Sequence, residues 1–168
     1  MIRAAILTIS DRSSRGERED LSGPALLAEI GKLGWEVKKT GIIPDELEQI
    51  KASLLEWCAD GQIDLILTTG GTGFSPRDIT PEATLAVVER LAPGIPEAMR
   101  AVSLKMTPHA MLSRSAAGVK NRTLIVNFPG SPKAAVENLA VIAPVLPHAI
   151  ELLQESPQSE KGHTLHTQ

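Results

Sequence analysis

The sequence predicts an α/β fold in which helices cover both faces of a mostly parallel sheet, giving three layers. Short apolar runs that are typical of buried strands alternate along the chain with segments whose apolar residues recur at helical spacing. Segments rich in Gly, Pro, Asp and Ser follow the apolar runs, as loops follow strands. Two of the later runs are separated by only three residues, which predicts one antiparallel hairpin strand in the otherwise parallel sheet.

The first half of the chain contains three predicted strands separated by two helices. Ala4 to Ile9 is densely apolar, as expected for a strand that is covered on both faces. The first helix ends at Gly34 and the second at Gly61, because glycine readily adopts the left-handed conformation that closes a helix. The second and third strands are predicted from Trp35 to Ile43 and from Ile63 to Thr68.

The second half begins with a predicted helix that carries Leu85, Val88 and Leu91. Three prolines divide the segment from Ala92 to His109, which predicts short helices there.

The end of the chain is predicted to contain a hairpin and a broken helix. Met111 to Val119 and Thr123 to Phe128 are the predicted hairpin strands. The region from Pro132 to Gln154 is predicted to be helical with a break near Pro144 and Pro147. Residues 1–154 therefore form one predicted domain, and the polar residues 155–168 are predicted to be a disordered tail.

Composition excludes several classes of function. A net charge of −3 and an aromatic content of 2% argue against nucleic-acid binding. We expect a cytoplasmic protein without membrane contact, because no apolar run is long enough to span a bilayer and no signal peptide is evident. Cys58 falls in an apolar helical pattern and is predicted to be buried. The histidines lack metal-ligand spacing: His109 and His148 are interpreted as structural, and His163 and His166 belong to the predicted tail.

The most informative segment is a glycine-rich loop after the third strand, Thr-Thr-Gly-Gly-Thr-Gly, followed by Asp78. Gly70, Gly71 and Gly73 allow a ligand to approach the backbone, whose N–H groups bind anions in such turns. A P-loop requires a lysine that is absent here, and the dinucleotide fingerprint is only half present. The loop therefore predicts a phosphate site of another kind, and the alternative is a tight turn without a ligand.

Other polar segments also follow predicted strands, so we expect them at the same edge of the sheet. They begin at Ser10, Pro44 and Asn127, and the second of them contains Asp45. The segment from Asp11 to Leu21 is rich in charge and is either a solvated loop or a flap whose arginines meet phosphate.

Three predicted helices start with a capping residue and a proline, at Ser22, Thr80 and Ser131. Such helix starts bind anions, although capping alone also explains them. Lys133 in the first turn of the last helix opposes the helix dipole, which favours an anion at that helix start.

Asp45 and Asp78 are candidate ligands for Mg²⁺, since we expect them at the ends of neighbouring strands. Asp45 is equally well explained as a helix cap with Glu48 three residues later. Asp78 is expected to be free, because Thr80 can cap the following helix; its alternative partner is Arg77.

These motifs closely resemble the molybdopterin adenylyltransferase family of molybdenum cofactor biosynthesis, which includes the Mog and MoaB types and a domain of gephyrin. The resemblance covers residues from about 3 to 153. The matching segments are Ile9 to Asp11, Asp20 to Pro24, Ile43 to Glu46, Thr68 to Ala83, Leu112 to Gly118 and Asn127 to Lys133.

The resemblance implies a three-layer domain that assembles as a homotrimer. It also implies adenylyl transfer from ATP to molybdopterin with release of pyrophosphate, a requirement for Mg²⁺, and hand-over of the product to a molybdate-inserting enzyme. Asp45 and Asp78 are assigned to catalysis and to Mg²⁺. The residues assigned to the nucleotide and pterin pockets are Ser10, Asp11, Asp20, Gly70, Gly71, Thr72, Gly73, Ser113, Arg114, Asn127, Gly130, Ser131 and Lys133.

Two other functions remain open at this point. The same motifs suffice for a pterin-binding or scaffold domain without catalysis. A nucleotide hydrolase is less favoured, because no lysine follows the glycine loop.

Overall fold

The computed structural model describes residues 1–155; most of the predicted tail, with His163 and His166, lies outside the described residues. In chain order the elements are β1 (Arg3–Ile9), α1 (Asp11–Ser14), α2 (Ser22–Lys32), β2 (Glu36–Ile43), α3 (Leu47–Ala59), β3 (Leu65–Thr69), α4 (Thr80–Val87), β4 (Arg90–Leu91), α5 (Gly94–Leu104), a 3-10 helix (Pro108–Leu112), β5 (Ala117–Lys120), β6 (Thr123–Phe128), α6 (Pro132–Ile142) and α7 (Leu146–Leu153).

The six strands form one sheet in the order β2-β1-β3-β6-β5-β4. β2, β1, β3 and β6 run parallel to one another, whereas β5 is antiparallel to both β6 and β4. The predicted α/β class with a mostly parallel sheet is therefore confirmed. The carboxyl ends of four strands lie at one edge, which is where ligands bind in folds of this class.

Two apolar clusters cover the two faces of the sheet and give the three layers. On one face, Ile6 and Leu67 pack with residues of α2, α5, α6 and α7. On the other face, Leu7 and Ile66 pack with residues of α3 and α4. Every residue of β3 is buried, because helices cover it on both sides. β2 alternates between exposed and half-buried residues, as an edge strand does.

The predicted helix after the glycine loop is shorter than its apolar pattern suggested. α4 ends at Val87, and Val88 already has the extended conformation. Leu91 lies instead in the short edge strand β4, opposite Gly118 of β5. A Cβ atom at Gly118 would lie 2.7 Å from the Arg90 carbonyl oxygen, so glycine at this position permits the pairing.

The observed limits of the hairpin and of the helices in the proline-rich segment also differ from the predicted ones. β5 begins at Ala117, and Met111 belongs to the 3-10 helix rather than to a strand. One eleven-residue helix, α5, replaces the predicted short helices, because Pro96 lies in its first turn, where a missing N–H is tolerated. The final helical region breaks between Ile142 and Leu146, as predicted.

Cys58 is buried as predicted, and burial raises the pKa of its thiol to about 11. Within residues 1–155 no single helix is long and apolar enough to cross a membrane; α6 and α7, bent by 66° at their junction, meet that test only as a pair and only by length and composition.

Candidate active site

A cavity of about 430 Å³ lies at the carboxyl edge of the sheet. We call it the acidic cavity, because Glu19, Asp20, Asp45 and Asp78 line it and Arg18 is the one cation among its described lining residues. The remaining lining residues are Thr8, Ile9, Ser10, Ser13, Leu21, Ser22, Thr69, Gly70, Gly71, Gly130, Ser131 and Pro132. The segments that follow β1, β2, β3 and β6 therefore meet at one place, as the sequence predicted.

A second cavity of about 290 Å³ lies on the other side of the glycine loop. We call it the apolar cavity, since most of its exposed lining surface is apolar; Met99, Ala110, Leu112, Pro129 and Ala134 are among its lining residues. Its polar lining residues are Thr72, Gly73, Arg100, Ser103, Thr107, His109, Ser113 and Asn138. The loop is thus a shared wall: its first two glycines line one cavity, and Thr72 and Gly73 line the other.

Four of the predicted binding residues line neither cavity. Asn127 is fully buried; its Nδ2 donates to the hydroxyls of Thr68 and Thr84, and its Oδ1 accepts from Ala116 N–H. These bonds give Asn127 a structural role. Lys133 is 81% exposed and lies 3.9 Å from Glu137, outside both cavities.

The other two predicted binding residues that line neither cavity are Asp11 and Arg114. Asp11 is hydrogen-bonded to Asp45, and Arg114 to the loop after β3. The Arg114 guanidinium donates from Nε to the Gly73 carbonyl oxygen at 2.7 Å and from Nη2 to that of Asp78 at 2.5 Å. Its Nη1 pairs with Glu82, and its own N–H donates to the Thr72 carbonyl oxygen. These bonds hold the far end of the glycine loop in place, and Arg114 lines neither of the two cavities.

The start of the glycine loop needs residues without side chains. Gly70 has φ +100 and Gly71 has φ +65, and a Cβ atom at Gly70 would overlap the Ile9 carbonyl oxygen. Gly130 approaches from β6, so that a Cβ atom there would lie 3.3 Å from the Gly70 Cα.

Thr80 does not cap α4 as expected. Its hydroxyl donates to the Gly70 carbonyl oxygen at 2.9 Å, and its N–H donates to that of Gly71 at 3.1 Å. The helix start therefore holds the loop in its turn.

Asp45 and Asp78 line the same cavity, although β1 separates the strands that precede them. The expectation that those strands are neighbours was wrong; the glycine loop carries Asp78 back towards the end of β1. The capping role of Asp45 is not realised, because α3 has no side-chain cap. Its Oδ2 accepts instead from Asp11 N–H at 2.8 Å. Asp78 Oδ2 accepts from Ser75 N–H at 3.0 Å, and Arg77 pairs with other acids.

Asp45 and Asp11 have pKa values shifted in opposite directions. Burial raises the pKa of Asp45, and the charges of Asp11 and Asp78 act in the same direction, while the bond from Asp11 N–H opposes them. The pKa of Asp11 is lowered, mainly by its bonds to Arg77. The site thus contains one acid whose charge is costly in the absence of a cation and one whose charge is paired.

Three side chains cap helices at this edge. Asp20 Oδ1 accepts from the N–H groups of Ser22 and Gly23, so Asp20 rather than Ser22 caps α2. Its Oδ2 accepts from the Thr8 hydroxyl at 2.6 Å. Ser10 caps α1, and Ser131 caps α6 as predicted.

A family model described as a probable molybdopterin binding domain matches residues 5–148 of this chain. The chain belongs to this family.

Curated relatives agree with this membership. A molybdopterin adenylyltransferase of Helicobacter pylori (strain J99) is 44% identical over 157 residues, which cover 90% of this chain and 88% of the relative. A molybdopterin adenylyltransferase of Escherichia coli (strain K12) is 43% identical over 141 residues, or 82% and 72% of the two chains. Gephyrin of Dictyostelium discoideum is 44% identical over 92% of this chain, which spans only 23% of gephyrin.

A solved structure of the molybdopterin biosynthesis enzyme MoaB of Thermus thermophilus has a similar fold. It superposes with a TM-score of 0.88 at 49% identity, and the match covers 94% of this chain and 99% of MoaB. The arrangement of strands described above is therefore that of this molybdopterin biosynthesis fold.

Asp45 and Asp78 supply the donor type that Mg²⁺ prefers. Mg²⁺ commonly takes one or two carboxylates and completes its coordination with water and substrate phosphates. Within residues 1–155 no group of three or more His, Cys, Asp or Glu side chains is arranged to hold a metal ion. Asp45 and Asp78 match the one or two carboxylates that Mg²⁺ commonly takes from a protein.

We predict that Gly70→Ala destabilises the protein by about 2 kcal/mol or more, because alanine would be strained at this φ and would overlap the Ile9 carbonyl oxygen. Gly31→Ala is the matched control: it lies in α2 with open space around it and should stabilise by about 0.5–1 kcal/mol. Urea unfolding measures both variants. Equal stability of the two would contradict the packing described for Gly70.

We predict that Asp45→Asn raises the melting temperature at about pH 8 in the presence of a chelator. An acid whose folded pKa lies above its unfolded value opposes folding once it ionises, so the gain should shrink as the pH falls through the folded pKa. Asp11→Asn should have the opposite sign, because the pKa of Asp11 is lowered: it should lose stability at about pH 8 and recover in acid. Melting curves recorded from acid pH to about pH 8 test both variants. A lower melting temperature of Asp45→Asn at about pH 8 would contradict the inference that burial of the ionised Asp45 carboxylate destabilises the fold.

Proposed function

We propose that this chain is a molybdopterin adenylyltransferase, which transfers AMP from Mg-ATP to the phosphate of molybdopterin and releases pyrophosphate. The observation that carries the proposal is the meeting of Asp45 and Asp78 with Gly70 and Gly71, the first two glycines of the loop, in one cavity. Relatives of that name, 43–44% identical over most of the chain, support it.

The first requirement of the reaction is that the negative charge of the acidic cavity be neutralised. Two anionic substrates have to enter a space lined by four carboxylates and one arginine. Asp45 and Asp78 would hold Mg²⁺, which neutralises phosphate charge and aligns the α-phosphate of ATP for attack. Without such a cation the phosphates and the carboxylates would repel each other.

The glycine loop supplies the second requirement, which is a set of main-chain N–H donors that are not used within the protein. Gly70 N–H donates to the Phe128 carbonyl oxygen, whereas the N–H groups of Gly71, Thr72 and Gly73 make no hydrogen bond within residues 1–155. Of these three residues Gly71 lines the acidic cavity, and Thr72 and Gly73 line the apolar cavity. Such groups stabilise phosphate charge without reorganisation.

The reaction proceeds by attack of an oxygen of the pterin phosphate on the α-phosphorus of ATP. The new P–O bond forms as the bond between the α-phosphorus and the bridging oxygen breaks, and pyrophosphate leaves. Arg18, the cation in the lining of the acidic cavity, is available to meet negative charge on the leaving group.

We predict that Asp78→Asn reduces pyrophosphate release roughly 100-fold or more while the fold and pterin binding are retained, because the transition state loses its charge-matched metal ligand. The measurement is pyrophosphate formed from Mg-ATP with and without molybdopterin. Glu48→Gln, on the exposed face of α3, is the control and should behave as the unmodified chain.

This assay also separates the competing functions. Pterin binding without pyrophosphate release in the unmodified chain would favour a scaffold domain. Rapid ATP cleavage in the absence of pterin would favour a nucleotide hydrolase.

We further propose that the protein works as a homotrimer in the cytoplasm and hands its product to a molybdate-inserting enzyme. Large exposed apolar side chains support self-association: Phe74 is 67% exposed and Met111 is 65% exposed. Light scattering coupled to size exclusion should give about three times the chain mass of 17.9 kDa. A single-chain mass at the concentrations used for the assay would overturn the trimer.

A further inference from the structure

Arg77 joins the three loops that follow β1, β2 and β3. Its Nε and Nη2 donate to the two carboxylate oxygens of Asp11, each at 2.9 Å, and Nη2 also donates to Glu46 Oε1 at 2.8 Å. Asp11 follows β1, Glu46 follows β2, and Arg77 itself belongs to the loop after β3. A guanidinium is suited to this arrangement, because its planar donors can serve two carboxylates at once.

Asp11 is in turn hydrogen-bonded to Asp45. Asp11 N–H donates to Asp45 Oδ2 at 2.8 Å, and Asp45 N–H donates to Asp11 Oδ1 at 3.1 Å. The Asp11 carboxylate is therefore shared between Arg77 and Asp45, and Arg77 is the chain neighbour of Asp78. One continuous series of bonds thus links the loops of the two acids assigned to the metal.

Global stability does not explain the Arg77 contacts. The Arg77 side chain is 53% exposed, and exposed ion pairs of this kind contribute about 0–1 kcal/mol. Arg15 makes an equally well-formed pair with Glu17, at 2.8 and 2.9 Å and with 56% exposure. That pair stays within one loop, whereas the Arg77 pairs connect segments that are distant in sequence.

The two metal-binding candidates repel each other, so their relative position requires an external restraint. We propose that Arg77 is a positioning residue: acting through Asp11, it holds the Asp45 carboxylate at a set position relative to Asp78, so that Mg²⁺ with its nucleotide meets a preformed pair of acids. This inference rests on the proposed function for the identity of the cation and nucleotide. It goes beyond that function in assigning Arg77 and Asp11 to the site's geometry and not to substrate contact.

The first test measures the restraint itself, without substrate. In Arg77→Ala, amide hydrogen exchange at Asp11 and Asp45 should become faster, while the melting temperature changes little. Arg122→Ala, which removes a comparably exposed ion pair with Glu155 outside the site, is the matched control and should leave exchange at both amides unchanged. Equal exchange in the two variants would overturn the proposal.

The second test measures the consequence for the cation. Arg77→Ala should raise the Mg²⁺ concentration needed for half-maximal Mg-ATP binding, measured by calorimetry, by about 10–100-fold, as loss of a residue that orients metal ligands does. The Mg²⁺ dependence of pyrophosphate release should shift in parallel, with molybdopterin KM unchanged. Arg122→Ala should match the unmodified chain in both measurements.

A conservative variant separates charge from geometry. Arg77→Lys keeps the charge but has one ammonium group in place of the planar fork, so its Mg²⁺ requirement should lie between those of Arg77→Ala and the unmodified chain. An Arg77→Lys protein identical to the unmodified chain in exchange and in Mg²⁺ requirement would overturn the bridging role.

The outcomes distinguish this inference from the proposed function. If the unmodified chain releases no pyrophosphate, the proposed function fails, while exchange at Asp11 and Asp45 still tests the bridge. If the chain releases pyrophosphate and Arg77→Ala does so with an unchanged Mg²⁺ requirement, the bridge fails and the function stands.

Discussion

The close contact of three backbone segments at Gly70 determines where the rest of the site lies. The end of β1 approaches this residue so closely that a Cβ atom there would overlap the Ile9 carbonyl oxygen, and a Cβ atom at Gly130, in the turn after β6, would lie 3.3 Å from the Gly70 Cα. The chain leaves β3 in a left-handed conformation, and Thr80 bonds the turn from the other side. Because the loop must then return towards β1, Asp78 reaches the cavity that also contains Asp45. Arg114 holds the far end of the loop by its main chain.

Much of the fold could be predicted because its central strands are buried on both faces. β1, β3 and β6 each contain a run of at least three consecutive apolar residues, and the helices between them have a regular apolar period. The two-residue strand β4 could not be predicted, because no periodicity exists over so short a length. Its formation depends on Gly118 in a strand that comes much later in the chain.

The site was predictable to the level of loops but not of individual bonds. The rule that ligands bind at the carboxyl ends of parallel strands brought the correct segments together. It could not tell which polar side chains face a ligand and which bond to the protein, because Asn127, Asp11 and Arg114 have the same donor and acceptor groups in either role. Arg77 was assigned only to its neighbour Asp78; its real partners, Asp11 and Glu46, become visible only when distant loops are placed side by side.

The glycine loop has one cavity on each side of it: Gly71 lines the acidic cavity, and the next residue, Thr72, lines the apolar cavity. A ligand that moves the loop from within one cavity therefore also changes the shape of the other cavity. By thermodynamic linkage the two occupants must then change each other's affinity by the same factor, whichever of them enters first. Two ligands on opposite sides of the loop would thus be coupled within a single domain of this size, in addition to any direct contact between them.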